Sequence, residues 1–191
     1  MSDPLPQMIP LTALGGREAR TDTHGPVTLT EVTNTAIASF AARRGAEAPA
    51  AKALSAVTAL QLPGPGASAR GGAFTVFWIG PDQWMVMAPH DTHELLAHDL
   101  TAAAPGQASV TEQNDAWCRF DLRGEGLIAV FERLCPINLR AAAPGHATRT
   151  SIDHLGCFVL METQSQITVL GPRSSAGSLH HALLTAMRSA H

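Results

Sequence analysis

The chain has 191 residues and no tyrosine, and aromatic residues make up only 5% of it. That composition gives no platform of stacked aromatics for single-stranded nucleic acid. Charge is also scarce. Charged residues amount to 15%, with a formal net charge of −3, so no basic face is available to a phosphate backbone. The few charges for so large a surface suggest that partners cover part of it. There is no run approaching the roughly 18 apolar residues of a membrane-crossing helix. The N-terminus, MSDPLPQMIPLTALGG, lacks the basic stretch and long apolar core of a secretory signal. The three cysteines, Cys118, Cys135 and Cys157, form no CxxC pair. Their odd number speaks against a disulfide framework and for a reducing, cytoplasmic setting. Nor is there a P-loop, an EF-hand or a GxSxG nucleophile turn.

What is present is a chain that is 45% hydrophobic and long enough to bury a core without metal or disulfide support. Residues 1–26 hold four prolines and a Gly-Gly pair and read as an extended arm. VTLTEV (27–32) alternates as a strand does. TNTAIASFAARRG predicts a helix stopped by Gly45, and the alanine-rich stretch Ala46–Leu60 predicts another. LPGPGASARGG (62–72) reads as a loop. AFTVFWIG and QWMVMA, joined at Pro81-Asp82, predict an antiparallel hairpin. Asp91 with Glu94 has the capping-box spacing for a helix running to Ala103.

ASVTEQ and WCRFDLRG follow as strands. The second alternates, with Cys118, Phe120 and Leu122 on one face and Arg119, Asp121 and Arg123 on the other, as a half-buried antiparallel strand does. In EGLIAVFERLC, Leu127, Val130, Phe131 and Leu134 fall on one helical stripe. TRTSID, LGCFVLME and QITVLG predict three further strands, and a helix over Ser174–Ser189 ends the chain. The order β-α-β-β-α-β occurs twice, without residue-level repetition. It predicts an α+β fold of tandem ferredoxin-like (split βαβ) units, with mostly antiparallel sheets and helices on one face. The expected organisation is the arm 1–26, then a single domain 27–191 in two halves, 27–115 and 116–191.

Several patterns imitate chemistry. Gly124, Gly126 and Ala129 in GEGLIA match the dinucleotide fingerprint between a strand and a helix. The preceding strand alternates, Glu125 would face the pyrophosphate, and no acid stands about 20 residues on for the ribose. A turn and helix start is the better reading. His93 and His98 in HELLAH are five residues apart, about 140° around a helix, so they cannot share one metal as HExxH does. His90 lacks a completing ligand. His180 and His181 diverge by about 100°, one toward a boundary and one toward water. Ser174 and Ser175 suit helix capping. Trp78, Trp84 and Trp117 read as anchors of core or interface, and Met85 and Met87 as buried strand residues. Cys118 and Cys157 read as inert buried thiols.

The runs FWIGPDQWMVMAP, FDLRG, RLCPINL, TRTSIDHLGCFVL and VLGPRSSAGSLHHAL resemble, in order and spacing over about residues 27–189, the γ subunits of heterotetrameric sarcosine oxidases. The resemblance implies a cytoplasmic complex of α, β, γ and δ chains that oxidatively demethylates sarcosine with oxygen and passes the one-carbon unit to tetrahydrofolate. It implies FAD, FMN and NAD in the α and β subunits and zinc in δ. The γ chain would have no cofactor, and no catalytic, cofactor-binding or metal residue. Its fold would be like the folate-binding part of the glycine-cleavage aminomethyltransferase. Two alternatives stay open: a folate-binding module within the same complex, and a subunit of a related N-methyl amino acid demethylase. Cys135, in RLCPINL, is taken as structural.

Overall fold

The computed structural model describes residues 9–191. Among these described residues, eleven strands form two antiparallel sheets. They are β1 (Thr21–His24), β2 (Val27–Val32), β3 (Ala36–Ala42), β4 (Ser68–Gly71), β5 (Phe74–Gly80), β6 (Gln83–Ala88), β7 (Ala108–Glu112), β8 (Trp117–Gly124), β9 (His146–Ile152), β10 (Leu155–Thr163) and β11 (Gln166–Pro172). Four helices accompany them: α1 (Glu47–Thr58), α2 (Leu96–Ala103), α3 (Leu127–Leu134) and α4 (Ala176–Ala190).

The five-stranded sheet runs β4-β5-β6-β3-β7 and the six-stranded sheet β1-β2-β8-β11-β10-β9. Three apolar clusters define the layers. Phe40, Val76, Val86 and Trp84 meet Leu54 of α1 and Leu100 of α2. Phe120, Val159 and Val169 meet Phe131 of α3 and Leu183 of α4. Between the sheets lie Ile37, Phe77, Met85 and Met87 from one and Phe158, Leu160 and Leu170 from the other. Phe77 and Phe158 approach to 5.2 Å between ring centroids. The order of layers is therefore helix, sheet, sheet, helix, and both faces of each sheet are covered. At one edge the sheets join: Ser68 N–H donates to Gly145 O at 2.7 Å, Ala147 N–H donates to Gly66 O at 3.0 Å, and Arg70 pairs with Glu162.

Each sheet contains a split βαβ unit. In the five-stranded sheet, β6 lies antiparallel between β5 and β3, and β7 flanks β3. In the six-stranded sheet, β11 lies between β10 and β8 in the same way. The place equivalent to β7 is filled by β2, from the other end of the chain. A cut at 115/116 therefore does not separate the units, because β2 pairs with β8 across it. The arm also differs from expectation. Residues 21–24 form β1, antiparallel to β2; residues 1–8 of the arm lie outside the described residues.

Three local expectations are corrected. TNTAIASFAARRG forms β3 rather than a helix. Ile37 enters the inter-sheet core while Ala38 and Phe40 enter the helix-side core, so a strand buried on both faces loses its polar alternation. Alanine's helix preference, a few tenths of a kcal/mol per residue, yields to two ladders of hydrogen bonds. The loop 62–72 contains β4, joined to β5 through Gly72 at φ +56°. The helix expected from Asp91 starts at Leu96 without a side-chain cap. The Asp91 N–H is held by Asn34 Oδ1 at 3.0 Å, and turns at Pro89 and His90 occupy the intervening residues.

Candidate functional site

The chain crosses from the six-stranded to the five-stranded sheet at residues 33–35 and returns at 113–116. A cleft of about 490 Å³ lies at these two crossings, roofed by residues 10–19. Its architecture depends on Glu31 of β2, which is 2% exposed. Oε1 accepts from Leu14 N–H at 3.0 Å and Oε2 from Arg20 N–H at 3.2 Å, so one carboxylate oxygen binds backbone within the roof and the other binds backbone where the roof ends. Arg173 donates to Leu11 O at 3.1 Å and fixes the roof from the far side. Thr12 and Gly16 close a tight turn between these two anchors (Thr12 N–H to Gly16 O, 2.9 Å).

The wall is built on β8. Arg119 grips Asp121 with two parallel hydrogen bonds of 2.8 and 2.9 Å and reaches Thr35 Oγ1 at 3.4 Å. Asp121, expected to face outward, is 4% exposed, because the second sheet and its crossings cover this face. The Thr168 hydroxyl donates to Asp121 at 2.8 Å. Asn114 Oδ1 accepts from Ile37 N–H at 2.7 Å, and Trp117 packs on Phe158 at 5.2 Å.

The residues that imitated chemistry are placed elsewhere. Gly124 has φ +133°, and a Cβ there would lie 1.9 Å from Pro26 O. A Cβ on Gly126 would lie 2.7 Å from the His191 ring. Close backbone and side-chain approach thus explains both glycines. His93 meets the Phe74 ring edge-on at 5.0 Å, and His98 lies beside exposed Asp99 at 3.3 Å. Among the described residues no three His, Cys, Asp or Glu side chains converge as a metal site would require.

His180 is 7% exposed, with Nε2 at 2.8 Å from Asp22 Oδ2, while His181 faces solvent. The Arg20 guanidinium, with His180 assisting, holds the Asp22 carboxyl below its ordinary range. That pair ties α4 to β1. Ser175 occupies the N-cap position of α4 but makes no capping bond. Burial raises the thiols of Cys118 and Cys157 to about 11 each, and raises that of half-buried Cys135. Thiolate chemistry at neutral pH is disfavoured at all three. Trp84 donates to Pro63 O at 2.9 Å within the core, Trp78 packs against that core, and Met85 and Met87 lie between the sheets.

Sequence reasoning did not single out Glu31, Asn114 or Arg173. An acid in VTLTEV and an Asn-Asp turn before a strand look like solvent-facing groups; only the return of the N-terminal segment buries Glu31.

Solved structures share this arrangement. A chain of the heterotetrameric sarcosine oxidase from Corynebacterium sp. U-96, in complex with pyrrole 2-carboxylate, superposes with a TM-score of 0.76. Identity is 25%, over 85% of this chain and 84% of that one. The glycine cleavage system aminomethyltransferase T from Bartonella henselae superposes with a TM-score of 0.63 at 14% identity, over 85% of this chain and 46% of that one. The fold is aminomethyltransferase-like. No family model and no curated protein sequence matches the chain.

Proposed function

We propose that this chain is the γ subunit of a heterotetrameric sarcosine oxidase, non-catalytic itself and acting in the assembly and stability of the complex. The observation that carries this reading is the reciprocal coverage. The chain matches 84% of a chain of the Corynebacterium enzyme at 25% identity, so the two are of nearly equal length, but it matches only 46% of the aminomethyltransferase. It is similar to most of one chain of an oxidase assembly and to less than half of an aminomethyltransferase chain. In the proposed complex, sarcosine is oxidatively demethylated to glycine, an oxidation at a CH–NH bond, and tetrahydrofolate takes the one-carbon unit. FAD, FMN, NAD and zinc would reside in the α, β and δ partners in the cytoplasm. Several features of this chain accord with a structural role: raised thiols, a His180–Asp22 pair used as a tie, and glycines filled by neighbouring atoms.

Co-expression with candidate α, β and δ chains tests the reading. The expected result is co-purification with a flavin-containing complex that turns over sarcosine, and none of either activity or flavin absorbance from this chain alone. A monodisperse chain that ignores all three partners overturns it. If the complex forms but turns over another N-methyl amino acid, the chain belongs to a related demethylase. A folate-binding module is the second reading, favoured by the aminomethyltransferase fold, and calorimetric titration with a reduced folate decides it.

A further inference from the structure

We propose that the cleft beneath residues 10–19 is a binding site for a small organic carboxylate with an apolar body. The proposal rests on which polar groups around the cleft already have partners. Both oxygens of Glu31 are occupied by the backbone N–H groups of Leu14 and Arg20. Asn114 has given its carbonyl oxygen to Ile37, which leaves its amide NH₂ as a donor. Arg119 uses three of its five N–H groups on Asp121 and Thr35, and two remain. Arg173 gives one N–H to Leu11 O; its nearest acid, Asp115, lies at 3.8 Å and is 96% exposed, which makes a weak partner. Arg17, exposed at the rim, has no ion-pair partner among the described residues.

The lining therefore offers donors from four separate places: the roof, the crossing at 113–116, β8 and the turn before α4. The side-chain oxygens of Glu31, Asn114 and Thr35 already accept hydrogen bonds, while Glu18 at the rim is a carboxylate without an ion-pair partner among the described residues. A surplus of guanidinium and amide donors suits a carboxylate, which accepts two parallel N–H bonds from one arginine. The remaining wall sets apolar Ala13, Val32, Ile37 and the Trp117 indole beside the small polar side chains of Thr12, Thr33 and Thr35, and the volume is in the range of small-molecule sites. A bare inorganic anion would leave that surface wet. The site does not depend on the chain being a subunit of any complex.

Titration of the full chain with benzoate, followed by calorimetry and tryptophan emission, tests the proposal. The expected result is one saturable site with quenching through Trp117. Benzyl alcohol, which has the same ring without the charge, should bind at least about tenfold more weakly, as expected for loss of one charge-assisted contact. Arg173→Gln should lower benzoate affinity by about tenfold, and Arg17→Gln should lower it measurably. If Arg173→Gln unfolds, the exposed Arg17→Gln still decides. Trp117→Phe should remove the quench and keep the heat. Four results would each overturn the proposal: no saturation at millimolar benzoate, equal binding of benzyl alcohol, equal competition by inorganic phosphate, or affinity indifferent to the arginine changes.

Discussion

The five-stranded sheet draws all its strands from residues 36–112, whereas the six-stranded sheet joins β1 and β2 to strands that begin at Trp117. Both follow one plan, a split βαβ unit with a further strand beside its first. In the first unit that strand, β7, comes from the same stretch of chain. In the second it is β2, from the opposite end. The two also differ in what they bury. The five-stranded sheet packs alanine, leucine, valine and tryptophan against α1 and α2. Buried polar groups concentrate in the other unit: Glu31, Asp121, Thr168 and His180 are all under 9% exposed. Three of these take part in ties, Glu31 to the roof, His180 to β1, and Asp121 to Arg119. A unit assembled from distant segments cannot rely on sequence proximity to set its register, and directional bonds to buried carboxylates supply that register.

The strongest test of this contrast removes residues 1–32. Amide exchange protection should then collapse in β8 and β11 and persist in β3, β5 and β6; persistence in β8 would show that the units are not closed differently. Next in size is Asp121→Ala, which strands the largely buried Arg119 and should cost about 3–5 kcal/mol in urea unfolding. No ion pair so buried is found in the five-stranded sheet among the described residues, and a comparable loss there by any charge deletion would weaken the contrast.

A glycine pair sharpens it further. Gly124→Ala meets Pro26 O, which belongs to the segment entering β2, at φ +133°, and should cost about 2–4 kcal/mol. Gly45→Ala, at φ +81° in open space beside α1, should cost about 1 kcal/mol. Equal losses would mean that the Pro26 approach relaxes easily.

All three cysteines belong to the six-stranded unit, so thiol labelling reports its opening alone. Half-buried Cys135 should react first, and Cys118 and Cys157, raised to about 11, should be slow until that unit opens. The smallest effect concerns acid. The folded-state pKa of Asp22 lies below its ordinary 3.8, so the stability it contributes is present above that value and lost as pH falls through the lower one. The β1–α4 tie should loosen there before the five-stranded sheet responds, and Asp22→Asn should remove the difference. Amide exchange at β1 as a function of pH reads it.

Much of the architecture was legible along the chain. The hairpin at Pro81-Asp82, the stripe of Leu127, Val130, Phe131 and Leu134, and the alternation from Cys118 to Leu122 each express a period that local geometry enforces. The expected α+β class follows from their order. AIASFAA misled because a strand covered on both faces carries no alternation, and its alanines favour a helix when read alone. The cleft was not legible, because it depends on a segment beginning near Pro10 meeting Glu31, Asn114 and Arg173, which are far apart in sequence.

What the sequence determined by itself is therefore local: the strands and helices whose apolar period is clear, and the turns that glycine and proline set between them. What only the tertiary structure decided is which distant segments meet. It set β2 beside β8, brought His180 to Asp22, buried Glu31 under the roof, and filled the GEGLIA turn with His191. The physical reason is that a residue's intrinsic preferences amount to tenths of a kcal/mol, while burial of whole sheet faces and pairing of buried charges amount to several. Burial and charge pairing choose among the arrangements that local preference permits.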